Sequence, residues 1–203
     1  MIRIYGVASS RTRRCLWTLE EVGAAYEVHR VQLRKGEHRR ADYLAVNPNG
    51  RIPAMEHEGL VLFESAAICQ YIARRYPEAE LLPDPMTNEA ALHDQWMFWT
   101  VTELEQALWS LAKHRFALPE KVRLEGMRET ALFEFGRAVK VLAKGLGDRE
   151  FMLGDQLRLV DIMLGHTLLW ARQFKAPFES DGLEAYLDRM TARPAFEATR
   201  RHE

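Results

Sequence analysis

The sequence is short of the features that mark disulfide-stapled, metal-binding or membrane-spanning proteins. It has two cysteines in 203 residues, Cys15 and Cys69, and they form no C-x-x-C pair. A disulfide framework, a zinc site and a dithiol redox motif are therefore not indicated, and no metal cofactor is expected. No apolar run reaches the roughly 20 residues that cross a bilayer, and Met1 is followed at once by Arg3 and a short strand pattern. We expect a soluble, cytoplasmic protein with no membrane partner.

The sequence also lacks an excess of charge of either sign. Its 28 basic and 29 acidic residues leave a formal net charge of -1. Nucleic acids and acidic membrane surfaces are bound through strongly basic patches, and this nearly neutral composition does not indicate one. Small-molecule or protein partners are favoured, and the length suffices for one large domain or two small ones.

The stretch from Asn47 to Ser65 carries the most information. It opens on two turn-forming pairs and continues to Ile52, which precedes Pro53. A residue before proline is restricted to extended geometry, so Ile52 can offer its N–H and C=O to an extended partner. Pro53 has no N–H and belongs at a strand start or edge, where a tight turn most often retains a cis X-Pro bond.

A hairpin with its turn at Glu58-Gly59 follows, and Glu64-Ser65 then opens a helix. A helix start directly after a strand presents free N–H groups and the positive end of the helix dipole, here beside a serine hydroxyl. The ligand that best fits such a helix start is a small anion such as a carboxylate.

The segments before this stretch predict the remainder of a sheet. Ile2–Tyr5 alternates as a strand, Arg11–Gly23 has helical spacing with Ser9 or Ser10 as its N-cap, and Tyr26–Leu33 is a second strand. The order strand-helix-strand-helix-hairpin-helix requires a crossover between its first two strands. It predicts a mixed sheet with helices on both faces.

The pattern changes after a stiff, proline-rich segment at Leu81–Pro85. Beyond it no strand pattern occurs, and long helical stripes cover Leu92–Leu111 and Leu124–Leu142. Ile162–Trp170 is apolar nearly all round and predicts a central, buried helix. We therefore predict an α/β domain at 1–76, a linker at 77–86 and an all-helical domain at 87–203.

Two separated motifs, NPxGxIP and ESxAI, agree in spacing with the glutathione-binding domain of the cytosolic glutathione transferases, which the sequence resembles. The resemblance covers the whole chain and is strongest in residues 1–76. It implies a thioredoxin-like βαβαββα domain followed by an all-α domain. It also implies that Ile52, before cis Pro53, pairs with the cysteinyl backbone of glutathione, while Glu64 and Ser65 hold its γ-glutamyl end.

The run Ser-Ser-Arg-Thr-Arg-Arg-Cys-Leu-Trp resembles the serine-type members of that family, and a theta- or zeta-like bacterial member is implied. Aligning Arg14 with the helix arginine of those members makes Ser10 the catalytic residue and Ser9 the runner-up. Ser10 as a plain N-cap is the alternative. Three arginines, Arg11, Arg13 and Arg14, either form a solvated face or raise the positive potential at the sulfur, a role considered for Arg11 above all.

The resemblance also assigns the glycyl carboxylate of glutathione to His38 and Arg51, although an ordinary charged loop explains both residues nearly as well. The second substrate is expected over the sulfur, beside the long helix that carries Trp96 and Trp99. Which side chains line that site stays open, and Met97 or Thr102 would serve equally.

At the head of the central helix the sequence departs from the family. The family places a Ser or Thr cap three residues before the aspartate that corresponds to Asp161, and here that position is Arg158. An arginine has donors only and cannot accept from helix amides, so half of the capping box is missing. We expect Asp161 still to accept from the backbone around Arg158.

The leading hypothesis is a homodimeric enzyme that activates glutathione, its co-substrate, for attack on a small hydrophobic electrophile. One alternative is a non-catalytic interaction or regulatory protein on the same scaffold, since fold alone does not imply activity. Another is a glutathione-dependent isomerase, dehalogenase or peroxidase. A thiol reductase is disfavoured by serine where it would need cysteine.

Overall fold

The computed structural model describes residues 1–178 and 180–203, which form two compact units. One unit comprises Met1–Leu82 together with Thr191–Glu203, and the other comprises Pro83–Met190. The break after residue 82 lies within the segment predicted as a linker, 77–86. The sequence-based division assigned 191–203 to the helical domain, whereas the structure groups these residues with the first unit.

The first unit contains a four-stranded sheet of order β2-β1-β3-β4, with β1 parallel to β2 and the other pairs antiparallel. The predicted βαβαββα order and the mixed sheet are confirmed. Its strands and helices are β1 Ile2–Gly6, α1 Thr12–Glu21, β2 Tyr26–Arg30, α2 Ala41–Val46, β3 Ala54–His57, β4 Leu60–Phe63 and α3 Ser65–Arg75.

The core of this unit follows from the alternation and the helical spacing. Ile2 and Ile4 of β1 are buried, as are Leu16 of α1 and Ile68 and Ile72 of α3. Helices α1 and α3 pack against each other. Because each of these elements buries one apolar face, the loops at the strand ends are held in fixed positions.

The second unit is helical, and the predicted buried central helix is confirmed as α7, which is buried throughout residues 159–168. Its helices are α4 Asn88–Trp99, α5 Glu105–Ala112, α6 Met127–Leu146, α7 Leu159–Phe174 and α8 Asp181–Thr191, the last residue of which lies in the first unit. None of the helices within 1–178 and 180–203 is long and apolar enough to cross a membrane.

The first long helix of the second unit differs from the even stripe that the sequence predicts. Wider π-helical turns at Thr100–Leu104 and Lys113–Ala117 follow α4 and α5. A turn with i→i+5 bonding changes which residues face inward. Within α4, before either turn, Leu92 is predicted on the packing face but is 48% exposed, while Met97 is 3% exposed.

The last segment, residues 191–203, packs on α1. It contains α9, Pro194–Ala198, and a 3-10 turn, Thr199–His202. The ring of Phe196 meets Trp17 edge-on with centroids 4.9 Å apart, and both side chains are buried. An apolar contact of this size explains why the segment belongs to the first unit.

Candidate functional site

The strand register brings the predicted site segments to one end of the sheet. Tyr5 pairs with Ala54 of β3, and Ala54 pairs with Phe63 of β4. The loop after β1, the residues just before β3 and the start of α3 therefore leave the sheet side by side. Tyr5 also pairs with His29 in parallel β2, so the chain after β2 leaves at the same end.

Ser10, the first choice for the catalytic residue, uses its hydroxyl within its own loop. Its Oγ donates to the carbonyl of Val7 at 2.7 Å and accepts from the amide of Thr12 at 3.1 Å. It also lies 2.9 Å from Thr12 Oγ1. Since the one Ser10 hydroxyl hydrogen goes to Val7, Thr12 Oγ1 must donate in this contact, and both lone pairs of Ser10 are occupied. The Ser10 hydroxyl stabilises the start of α1.

Ser9, the runner-up, has the opposite environment. It is exposed, and within the described residues its hydroxyl makes no hydrogen bond. The formal N-cap of α1 is Arg11, which is half-buried and makes no side-chain capping bond. Ser9 is thus the residue of the pair whose hydroxyl is free to meet a ligand, one position away from the register that the arginine alignment favours.

The turn before β3 is fixed by hydrogen bonds to the Arg51 carbonyl, while the backbone groups of Ile52 remain accessible. The carbonyl of Arg51 accepts from Tyr43 Oη at 2.6 Å and from Asn47 Nδ2 at 2.7 Å. The Ile52-Pro53 peptide bond is cis, as predicted. Neither the N–H nor the C=O of Ile52 is bonded to any of the described residues. This pair of backbone groups can bind an extended peptide.

At the next strand end, Glu64 and Ser65 begin α3. Glu64 is exposed, has a φ of 70°, and makes no side-chain cap, so the first amides of the helix are not covered by its carboxylate. Ser65 is buried, and its Oγ accepts from Arg14 Nη1 at 3.3 Å. The helix N-terminus, with a guanidinium behind its first hydroxyl, is suited to an anion.

The three arginines at the start of α1 do not form a solvated face. Arg14 is fully buried, and Arg13 is 6% exposed with contacts to Ala8, Thr199 and Glu203. Apart from Ala8, their partners lie far away in the sequence, so spacing alone does not indicate the burial. The sequence did contain a signal for buried, paired arginines. Both residues lie among positions with the spacing of a helix core, where a charged side chain needs a partner.

His38 and Arg51 lie in adjoining loops. A Cβ placed on Gly50 would lie 3.0 Å from the His38 carbonyl oxygen, so the two backbones are in close contact. His38 Nε2 accepts from Arg39 Nε at 3.3 Å, and burial, followed by the charge of Arg39, lowers the pKa of His38. The imidazole is therefore neutral at pH 7, with its proton on Nδ1. Arg51 is exposed.

The cysteines are not candidates for the reacting group. Cys15 and Cys69 are fully buried between α1 and α3, with their Sγ atoms 4.0 Å apart. Burial raises the pKa of the Cys15 thiol well above its usual range. Across 1–178 and 180–203 no cluster of three or more His, Cys, Asp or Glu residues is placed to hold a metal ion.

Two surface cavities lie away from the predicted residues. One, of about 220 Å³, is polar and lies beside the loop after β2, lined by His29–Gln32, Glu37, Arg40 and Asp42–Tyr43. The other, of about 510 Å³, lies at the opposite end of the sheet, where Met1, His57 and Leu60 contribute to its wall. Neither is lined by a predicted site residue.

Comparison with known proteins agrees with this geometry. Residues 2–74 match the family described as glutathione S-transferase, N-terminal domain, and residues 104–194 match its C-terminal domain. A probable glutathione S-transferase of Oryza sativa subsp. japonica is 32% identical over 165 residues, covering 79% of this chain and 76% of the relative.

Solved structures give the same result over nearly the full length. A glutathione transferase from Methylococcus capsulatus is 28% identical with a TM-score of 0.88, covering 99% of this chain and 98% of that one. The theta class glutathione S-transferase of Xanthomonas axonopodis pv. citri, solved with glutathione bound, is 32% identical with a TM-score of 0.81, covering 98% and 96%. The chain belongs to the glutathione S-transferase family.

Proposed function

We propose that the protein is a glutathione transferase in which the Ser9 hydroxyl donates to the glutathione sulfur and stabilises its thiolate. The observation that carries this assignment is the contrast between adjacent residues. The Ser10 hydroxyl is used by Val7 and Thr12, while the exposed Ser9 hydroxyl is bonded to none of the described residues. The thiolate then attacks a small hydrophobic electrophile.

One hydroxyl is enough for this chemistry. A free thiol has a pKa of about 8.5, and making the thiolate dominant at neutral pH takes a shift of about two units, or about 3 kcal/mol. A hydrogen bond to a charged group contributes about 1.5 to 3 kcal/mol. The N-terminus of α1 adds a favourable dipole, and the half-buried Arg11 adds positive charge nearby.

The rest of glutathione lies along the same sheet border. The unpaired N–H and C=O of Ile52, next to Pro53, hold the cysteinyl backbone of the tripeptide. Ser65 and Glu64 at the start of α3 take the γ-glutamyl end, where Arg14 supports Ser65. We assign the glycyl carboxylate to the exposed Arg51, whose guanidinium can bind it. His38 lies in the adjoining loop, but its Nδ1 is buried, so it contributes through the position of that loop.

We place the chain with the serine-type members, since a serine rather than a tyrosine or cysteine presents the free hydroxyl. A theta- or zeta-like affiliation rests on the motif around Ser9 and on the theta-class relatives. Relatives from rice and maize argue equally for the plant classes. We also propose that the protein is cytoplasmic and works as a homodimer without nucleic acid or membrane partners.

The test is a matched pair of substitutions at neighbouring positions. Ser9→Ala should lower kcat about a hundredfold, which corresponds to about 3 kcal/mol, and should return the bound thiol to its free pKa. Ser10→Ala should leave that pKa in place and lower the free energy of unfolding by about 1 kcal/mol. The thiol is titrated through the ultraviolet absorbance of its thiolate. If Ser10→Ala lost turnover and Ser9→Ala kept it, the assignment would be wrong by one residue.

A panel of electrophiles separates the remaining alternatives. An aryl halide, an isothiocyanate, an alkyl halide and an organic hydroperoxide, each with glutathione, distinguish transfer, dehalogenation and peroxidase chemistry. Retention on immobilised glutathione without turnover of any of them would instead favour a non-catalytic binding protein.

A further inference from the structure

Arg13 joins the loop that carries Ser9 to the C-terminal segment, residues 191–203. Its Nε donates to the carbonyl of Ala8 at 3.1 Å. Its Nη1 donates to Thr199 Oγ1 at 2.9 Å, and its Nη2 donates to Glu203 Oε1 at 2.5 Å. One buried guanidinium therefore connects the loop that carries Ser9 to residues 199 and 203.

The bond to Ala8 acts directly on Ser9. The carbonyl of Ala8 and the amide of Ser9 belong to one planar peptide unit. Fixing the oxygen of that plane also fixes the direction of the Ser9 N–H and the position of its Cα. Ala8 is fully buried while Ser9 is exposed, so the plane is anchored on the inner side and presents its serine outward.

The guanidinium is itself held from three directions. The Thr199 hydroxyl donates to the carbonyl of Phe196 at 2.7 Å, which turns its lone pairs toward Arg13. The guanidinium carbon lies 5.3 Å from the centre of the Phe196 ring. The Glu203 carboxylate completes the set, and its bond to Arg13 lowers the pKa of Glu203. A planar fork meets these directions together, whereas a lysine ammonium does not.

We propose that Arg13, braced by Thr199 and Glu203, is a positioning residue that sets the orientation of the Ser9 hydroxyl toward the glutathione sulfur; the inference rests on the proposed function. The C-terminal segment thereby acts on turnover without touching substrate. We call Arg13, Thr199 and Glu203 the brace. Weakening the hydrogen bonds within it lets the Ala8–Ser9 peptide plane rotate. This weakens the bond from Ser9 to the thiolate and leaves the glutathione contacts at Ile52 and Ser65 in place.

The test compares three variants, Arg13→Lys, Thr199→Val and Glu203→Ala, with glutathione and a chlorodinitrobenzene as substrates. Each should lower kcat about tenfold, since small misplacements of a reacting group have effects of this size or more. The KM for glutathione should stay within about twofold, and the pKa of the bound thiol should rise by about one unit. Glu203→Gln, which keeps an oxygen acceptor, should recover most of the rate.

A matched control uses another ion pair between this segment and α1. Arg193 Nε lies 2.6 Å from Glu21 Oε1, at the far end of the helix from Ser9. Arg193→Lys should lower the melting temperature and leave both kcat and the bound-thiol pKa unchanged. If the brace variants kept the parent thiol pKa, or lost rate only as far as the control did, Arg13 would be merely structural and the inference would be overturned.

Failure of this inference and failure of the proposed function give different results. If Ser9→Ala loses turnover while the brace variants keep it, only the role of Arg13 is wrong. If Ser9→Ala keeps turnover, the sulfur contact itself is misassigned, and the inference is overturned with it.

Discussion

At the scale of single residues, the β1–α1 loop depends on a glycine that lets Thr12 come close. Gly6 has a φ of 151°, and a Cβ placed on it would lie only 2.1 Å from Thr12 Oγ1. No other residue type fits there without moving Thr12. Because Thr12 is the partner that occupies the Ser10 hydroxyl, Gly6 indirectly decides which serine remains available to a ligand.

Asp161 supports the second unit through three hydrogen bonds. Its Oδ2 accepts from the amide of Arg158 at 2.8 Å, and its Oδ1 accepts from the amide of Met152 and from Tyr186 Oη, both at 2.7 Å. The expected bond to the backbone of Arg158 is confirmed. The other half of the capping box is absent as a side-chain contact, since the Asp161 amide is met by the Arg158 backbone carbonyl at 2.9 Å.

Replacing Asp161 should therefore affect stability and spare glutathione binding. Asp161→Ala leaves the buried amide of Met152, the part-buried amide of Arg158 and the Tyr186 hydroxyl without their acceptor, which should cost about 3 kcal/mol of unfolding free energy. Urea denaturation measures the loss, and glutathione affinity provides the internal check. Asp155→Ala, at an exposed position, is the control. Equal melting temperatures for Asp161→Ala and the parent would refute the prediction.

At the scale of elements, α6 contains two glycines with opposite surroundings. A Cβ on Gly145 would lie 2.4 Å from the Trp96 ring, and one on Gly136 would meet nothing within 4 Å. Gly145 therefore gives the Trp96 ring of α4 room to lie against α6, while Gly136 only weakens its helix. Trp96 in turn meets Trp99 edge-on with ring centroids 5.0 Å apart, so the approach positions an aromatic pair.

Two alanine substitutions in α6 should then change stability in opposite directions. Gly136→Ala should raise the unfolding free energy by about 0.5 to 1 kcal/mol through helix propensity. Gly145→Ala gains the same propensity but forces Trp96 aside, with a net loss of about 1 to 3 kcal/mol. Thermal unfolding of both proteins decides the matter, and a stabilising Gly145→Ala would contradict the packing described.

Most elements of the first unit could be predicted from sequence because their signals are local. The turn chemistry before Pro53 and the helix start at Glu64-Ser65 depend on neighbouring residues alone. The availability of Ser9 could not be predicted, because it follows from hydrogen bonds that Ser10 makes with Val7 and Thr12. Spacing counts positions and carries no information on which way a hydroxyl points.

At the scale of the whole molecule, the sheet of the first unit ends in an edge strand with exposed apolar side chains. β4 is the outer strand, and Val61 and Phe63, on one face of it, are 42% and 38% exposed. An unpaired apolar edge is unfavourable in a monomer and is commonly covered in an assembly. This surface is where we expect the homodimer contact.

Charges placed on this edge should weaken the dimer. Replacing both Val61 and Phe63 by lysine removes two apolar contacts of about 1.5 kcal/mol each, which corresponds to about a hundredfold in the dimer dissociation constant. Sedimentation velocity over a dilution series measures the change. Phe133→Lys on α6, at a side chain 68% exposed, is the control. A parent protein that sediments as a monomer, or an unaffected double variant, would rule out this interface.

The contacts of Arg13 with Thr199 and Glu203 could not be predicted either, because they join residues that are distant in the sequence. Arg13 lies among residues typical of a helix core, yet its partners Thr199 and Glu203 come from the other end of the chain. No periodicity connects such distant positions. Their proximity follows from the return of 191–203 to α1, which the buried contact of Phe196 with Trp17 secures.

That return has a consequence for biosynthesis. The first unit combines residues 1–82 with residues 191–203, and the entire second unit is translated between them. A ribosome that has released residues 1–82 has supplied a complete sheet but not the stretch that covers Trp17 and neutralises Arg13. The nascent sheet must wait, with its helix face uncovered, until residues 191–203 have been translated.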